Sequence, residues 1–404
     1  MRRCWSMFIA LALILVSAGI GSAQVGPELP ARAYLLMDAT TGQVLYARHD
    51  HDRLPIASTT KIMTAILALE RGNLADVVTT SQKAFDTGGS TIYLELGEQQ
   101  TLSNLLYALL LESANDAAVA IAEHIGGTEG HFVELMNQKA QEIGATDTHF
   151  VNSHGLHEPD HYSSAHDLAL IARYAMQNAK FREYVHTEEQ EIPGYDQNPP
   201  RKLHSHNQLL GYYDGANGVK NGWTDEALQT NVASAKRGDT ELIAVVLGAK
   251  DRVWSSSMAL LDYGFSGYKT LPVVKKGEPV GTTAVPGAPD QVPAVAAGDL
   301  LVTVALDGTT PQQKVVWDDG LKLPLAQGAH LGRLQEVDKG QAVGQVDLVS
   351  ALAIAAPATL SGHSPLRVPP LRTMVLGGVV ALVVGVLARS WLQTGSLVVR
   401  RDRP

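Results

Sequence analysis

Cysteine is almost absent from this chain: its 404 residues include a single one, Cys4. That thiol falls in an N-terminal leader, so the mature protein is expected to have none, which excludes disulfides, cysteine-ligated zinc and a cysteine nucleophile. Charge is sparse at 18%, and aromatics make up 6%. The formal net charge of −9 argues against nucleic acid as a partner. Long apolar runs are scarce too. Met7 to Val16 is short for a membrane span, and Met374 to Ala388 reaches span length only when Trp391 and Leu392 extend it.

The two ends carry targeting signals. Arg2 and Arg3, the apolar run and Gly21-Ser22-Ala23 form the charged, hydrophobic and cleavage regions of a secretory signal peptide over 1–23. A Pro/Ser/Gly linker (358–372) leads to an apolar segment (373–392) bordered by Arg372 and Arg389, followed by Arg400, Arg401 and Arg403. That pattern is read as a C-terminal transmembrane anchor with a basic cytoplasmic tail (393–404). The body would then be secreted across the cytoplasmic membrane and anchored to its outer face.

Within the body, Tyr34 to Asp38 and Val44 to Ala47 flank Thr40-Thr41-Gly42 as a hairpin. Leu74 to Thr80 reads as a strand. Helical spacing marks Leu102 to Leu111, Asp116 to Ile125 and Thr128 to Ile143, and another helix opens at Ser164. Gln229 to Lys236 and Glu241 to Leu247 are strands, and Asp251 to Tyr263 is a helix. From about Tyr268, short Val-rich runs alternate with Gly/Pro turns, the pattern of an all-β sandwich.

Three stretches carry candidate chemistry. In Ser58-Thr59-Thr60-Lys61 an apolar run continues to Gly72, predicting a helix that begins near Ser58 with Ser58 and Lys61 on one face. A serine there can use lysine as its base in acyl transfer; equally, Ser58 can be an N-cap and Lys61 a solvated first-turn residue. Glu112-Ser113-Ala114-Asn115-Asp116 is a polar corner between two apolar helices, either a cap or a place where side chains meet substrate. Lys220-Asn221-Gly222-Trp223-Thr224 can offer a cation and backbone donors to a carboxylate, or be a surface turn. His157-Glu158-Pro159-Asp160-His161 matches a zinc-protease pattern in letters, but Pro159 opposes the helix that would put both histidines on one face. No metal and no cofactor are expected.

Taken in order, these three motifs resemble the set found in penicillin-binding proteins and serine β-lactamases. The chain is similar in particular to the D-alanyl-D-alanine carboxypeptidases among low-molecular-mass penicillin-binding proteins. The likeness runs from about Ala33 to Phe265 and includes Leu94-Glu95-Leu96-Gly97-Glu98, Asn152…Gly155-Leu156 and His161-Tyr162-Ser163-Ser164-Ala165. It implies an α/β (α+β) transpeptidase-like domain over 28–266 followed by a small all-β sandwich domain over 268–357.

The resemblance also implies roles. Ser58 would be the nucleophile, Lys61 its general base and Ser113 a proton relay to the leaving amine. Asn115, Lys220, Gly222, Trp223 and Thr224 would bind substrate, the N–H groups of Ser58 and Trp223 forming an oxyanion hole. The family's usual arginine near position 250 corresponds to Lys250 or Arg252. Its partners would be peptidoglycan stem peptides, with β-lactams as inhibitors. Two departures stand out: Asn221 replaces the usual threonine of the third motif, and Asn217 replaces an aspartate. A protein that binds penicillin but turns over little substrate is the alternative that Asn221 suggests.

Overall fold

The computed structural model describes residues 26–306, 311–338 and 340–356. The leader, linker, anchor and tail expected from the sequence lie outside these residues. Among the described residues no helix is long and apolar enough to cross a membrane.

The chain opens with strands β1 (Ala33–Asp38) and β2 (Val44–Arg48), the expected hairpin. A single 3-10 turn (Ala57–Thr60) then leads into α1 (Lys61–Arg71). The α-helix therefore begins at Lys61 rather than near Ser58, because Ala57 takes a φ of 47° and tightens the entry. Strand β3 (Val77–Thr79), shorter than the expected Leu74 to Thr80, is followed by α2 (Gln82–Phe85) and β4 (Gln99–Thr101). Helices α3 (Leu102–Leu110), α4 (Asn115–Gly126), α5 (Glu129–Ile143), α6 (Ala165–Ala175) and α7 (Ala179–His186) come next. A small hairpin, β5 (Glu189–Ile192) and β6 (Arg201–His204), precedes β7 (Ala216–Thr224), β8 (Leu228–Arg237), β9 (Thr240–Ala249) and α8 (Val253–Gly267).

The first domain is built on an antiparallel sheet ordered β2-β1-β9-β8-β7. Strand residues alternate between faces, and here both faces are apolar. Ala33, Leu35, Met37, Ile243, Val245 and Leu247 face the cluster formed with α1 and α3 to α7. Tyr34, Leu36, Leu242, Ala244 and Val246 face Leu260 and Leu261 of α8. The sheet is thus a middle layer, which is why β1 reads as an unbroken hydrophobic run.

The second domain comprises β10 (Tyr268–Val274), β11 (Pro279–Thr283), β12 (Val292–Ala296), β13 (Leu300–Ala305), β14 (Gln312–Trp317), β15 (His330–Asp338) and β16 (Gln341–Ser350). A β10-β13 ribbon and a sheet ordered β11-β12-β16-β15-β14 share one core, with Val274, Val302 and Val304 packed with Val292, Leu331, Leu334 and Leu348. This is the expected all-β sandwich.

The two domains are joined by buried polar contacts. Asp38, at the end of β1 and fully buried, accepts hydrogen bonds from the N–H groups of Thr40 and Thr41 (2.8 and 2.9 Å) and from Thr270 Oγ1 (2.6 Å). The hydroxyls of Thr41 and Thr303 lie 2.9 Å apart, and Thr270 N donates to Thr240 Oγ1 at 3.0 Å. The β domain therefore meets the sheet at the Asp38/Leu242/Ala235 end. Asp38→Ala leaves buried donors unpaired in both domains and is expected to lower unfolding free energy by about 3 kcal/mol, measured by urea denaturation. A loss below about 0.5 kcal/mol would mean that the junction does not depend on this carboxylate.

Candidate active site

The site lies at the other end of the sheet, where the 3-10 turn packs between α1, β7 and β8. Three of the turn's residues, Ala57, Thr59 and Thr60, are buried; Ser58 is the half-exposed one. Its position is set from both sides. Thr230 Oγ1 on β8 donates to Ile56 O at 3.2 Å. On the other side, Thr60 Oγ1 donates to Ala57 O and lies 2.8 Å from His161 Nε2. His161 Nδ1 accepts from Val151 N at 3.1 Å, so the ring is the neutral tautomer carrying its proton on Nε2. Burial keeps it neutral, with a pKa lowered to about 3. His161 is therefore part of the scaffold. The His157–His161 segment is a turn, and His157 is exposed.

Lys61 is fully buried one helical turn beyond Ser58. Its Nζ has three acceptors: Ser58 Oγ at 2.9 Å, Asn115 Oδ1 at 2.7 Å and His154 O at 2.7 Å. Asn115 Nδ2 donates to Gly88 O at 2.7 Å, which fixes the amide so that its oxygen faces the lysine. Burial, and then repulsion from Lys220, push the Lys61 pKa well below its ordinary 10.5, against the weaker pull of Asp116. A neutral amine donates twice. In that form, with Asn115 and His154 taking those hydrogens, the lone pair would face the serine hydroxyl.

The second motif forms the expected tight corner between α3 and α4. Ser113 is buried with φ of 60°, and its hydroxyl has no hydrogen-bond partner among the described residues. Capping does not account for this motif. Ala114 is the N-cap of α4 and makes no side-chain cap bond, while Asn115 places its oxygen on Lys61 and one amide hydrogen on Gly88.

The third motif occupies the C-terminal part of β7, the sheet's edge strand. Lys220 is 2% exposed and donates to Asn221 O at 2.8 Å. Burial lowers its pKa to about 7. A Cβ added to Gly222 would lie 2.6 Å from Ser58 N; only glycine lets β7 pass this close to the Ser58 backbone. Trp223 is 63% exposed beside it. Thr224 Oγ1 accepts from Ala227 N at 3.0 Å, closing the β7-β8 turn. The side chains of Asn221 and Lys250 have no hydrogen bonds among the described residues, and Lys250 is exposed just past β9. The pairing series Trp223↔Gln229↔Ala249 places Lys250 at the same end of the sheet as Trp223.

The structure thus brings Ser58, Lys61, Asn115, Lys220 and Gly222 into one cluster. It adds one member that sequence reasoning had only as a point of family likeness. The Asn152–Leu156 turn delivers the His154 carbonyl to Lys61, while Asn152 Oδ1 accepts from Gly155 N at 2.7 Å. Gly155 has φ of 92°, and a Cβ there would lie 1.9 Å from Ala57 O. An asparagine three residues before a glycine was the available signal for this turn.

A half-exposed serine hydroxyl against a buried lysine, beside the edge strand of the sheet, is an arrangement that fits a serine-type hydrolase. Comparison with known proteins agrees. A family of D-alanyl-D-alanine carboxypeptidases matches residues 21–251, and the C-terminal domain of penicillin-binding protein 5 matches residues 268–356. The D-alanyl-D-alanine carboxypeptidase DacF of Bacillus subtilis is 35% identical over 327 residues, covering 78% of this chain and 83% of the relative. DacA of Haemophilus influenzae is 30% identical over 362 residues, covering 85% and 90%. The crystal structure of penicillin-binding protein 5 from Haemophilus influenzae superposes with a TM-score of 0.74 at 28% identity, covering 82% of this chain and 99% of that one. The chain belongs to the D-alanyl-D-alanine carboxypeptidase family and is a serine-type hydrolase.

Two outcomes test the geometry. Gly222→Ala displaces β7 from Ser58 N, and a shift of about 1 Å at a reacting centre costs about 10²-fold. Acylation by a fluorescent penicillin should fall by that order; an unchanged rate would mean that β7 does not set the nucleophile's position. Lys220 generates a pH effect on stability. Below about 7 both native and unfolded chains are protonated there, and above 10.5 both are neutral. Between these values only the unfolded chain keeps the proton, so native stability rises with pH. Relative to Lys220→Met, the wild-type protein should gain about 1–2 kcal/mol between pH 7.5 and 9 in urea unfolding.

Proposed function

We propose that the protein removes the terminal D-alanine from peptidoglycan stem peptides through an acyl-enzyme on Ser58, and that β-lactams acylate the same hydroxyl. The observation that carries this reading is the 2.9 Å contact between Ser58 Oγ and a buried Lys61 amine whose two other acceptors are Asn115 and His154. In the forward step the Ser58 proton passes to Lys61 Nζ as Oγ attacks the penultimate carbonyl. The N–H groups of Ser58 and Trp223 stabilise the oxyanion. The C–N bond then breaks, and the leaving amine of D-alanine takes a proton by way of Ser113. Water then gives a proton to Lys61 Nζ as it attacks the ester, the carbonyl–Oγ bond breaks to release the shortened peptide's carboxyl group, and Ser58 Oγ takes that proton back.

Asn115 binds the substrate amide. Lys220 and Thr224 hold the terminal carboxylate, with Asn221 and either Lys250 or Arg252 beside them. In this reading the leader (1–23) exports the chain and the segment 373–392 anchors it to the outer face of the membrane.

The test uses two assays on the full chain. Fluorescent penicillin should label the wild type and leave Ser58→Ala unlabelled, and the wild type should release D-alanine from a pentapeptide ending in D-Ala-D-Ala. Absence of label on folded wild-type protein would overturn the reading. Label without release of D-alanine would instead mark a penicillin-binding protein of little turnover, and Asn221→Thr should then raise the release rate several-fold.

A further inference from the structure

The acceptors of Lys61 have a support that none of the three motifs contains. Glu129 is the first residue of α5, and its side chain is 8% exposed. Its Oε1 accepts from both the N–H and the hydroxyl of Ser153, at 3.0 and 2.7 Å. Its Oε2 lies 2.6 Å from Lys83 Nζ on α2. His154 Nε2 stands 3.8 Å from Oε1. Since His154 Nδ1 accepts from Leu156 N at 3.2 Å, the ring proton is on the nitrogen that faces the glutamate. Burial and the nearby Lys61 keep that imidazole neutral, at about 4.

These bonds tie down the turn that serves the base. Ser153 O accepts from Thr64 Oγ1, about one helical turn beyond Lys61 on α1, at 2.6 Å. His154 O, the next carbonyl, accepts from Lys61 Nζ. Through Lys83, the same carboxylate also reaches the segment that carries Gly88, whose carbonyl orients the Asn115 amide. One buried carboxylate thus lies directly behind the residue that precedes the His154 carbonyl.

We propose that Glu129 is a positioning residue for the general base: by holding Ser153 it fixes the His154 carbonyl, and so the orientation of Lys61 toward Ser58. This rests on Lys61 acting as the base. Hydrogen bonding to Ser153 is the essential part of the role. The ion pair with Lys83 is secondary, because the lysine side chain is 58% exposed and such pairs contribute little.

The experiment measures the second-order rate of acylation by a fluorescent penicillin from pH 6 to 10, per folded molecule, for the wild type, Glu129→Ala, Glu129→Gln and Lys83→Ala. Circular dichroism melts give the folded fraction. Glu129→Ala should lose about 10- to 100-fold and displace the rising limb of the pH profile. Glu129→Gln keeps an acceptor for Ser153 and should recover to within about threefold of the wild type, as should Lys83→Ala. If Glu129→Ala lowers the melting temperature but keeps the rate and pH midpoint per folded molecule, the role is structural and the proposal is overturned. Equal loss in Glu129→Gln and Glu129→Ala would overturn it as well. An unlabelled wild type would instead refute Lys61 as base, an outcome separate from these.

Discussion

Burying the Lys61 amine constrains everything around it. An ammonium in a dry interior is costly unless paired, and among the described residues no carboxylate touches it. The contacts are a hydroxyl, an amide oxygen and a backbone carbonyl. They satisfy the amine's polarity without a compensating full charge, so the neutral form is favoured and the group is suited to accept a proton. An Asp or Glu in place of Asn115 would stabilise the ammonium and raise the Lys61 pKa. The same logic explains Lys220, a second amine buried by the same packing, which makes protonation of the first more expensive still.

That constraint gives the fold its purpose. Each acceptor comes from a different segment: the 3-10 turn, the start of α4 and the Asn152–Leu156 turn. Holding three segments at hydrogen-bond distance from one nitrogen requires a rigid frame. The frame is the three-layer domain, with β1 and β9 buried on both faces. At the site end, β7 and β8 carry small or polar residues such as Gly222 and Thr230 that let the strands approach the 3-10 turn. At the opposite end, the β domain is joined through Asp38, Thr41 and Thr270. Chemistry and domain attachment thus use opposite ends of one sheet, so neither competes with the other for strand termini.

Much of this was legible in the residues. The β1-β2 hairpin, α3 to α6, β8, β9 and α8 followed from apolar periodicity. The β sandwich followed from its turn residues. The three motifs were found because each is short and contiguous. Other parts were not legible. The hairpin of β5 and β6 and the helix α7 are polar and short, so they have little periodicity; α7 is held by Tyr184 and Phe181 packing on the large cluster. The start of α1 was misplaced by a few residues because Ala57 adopts a conformation its sequence does not announce. Nothing local linked Glu129 to Ser153, 24 positions away, or Lys83 to either.

The sequence by itself determined most of the elements, the family and the proximity of Ser58 and Lys61, because these depend on local pattern and on residues within one turn of each other. Only the tertiary structure decided how far the Lys61 amine is buried and what it touches. Its protonation state depends on how much water is excluded and on which distant oxygens reach it. One of those oxygens is a backbone carbonyl, at His154, that every residue type possesses and no sequence pattern singles out.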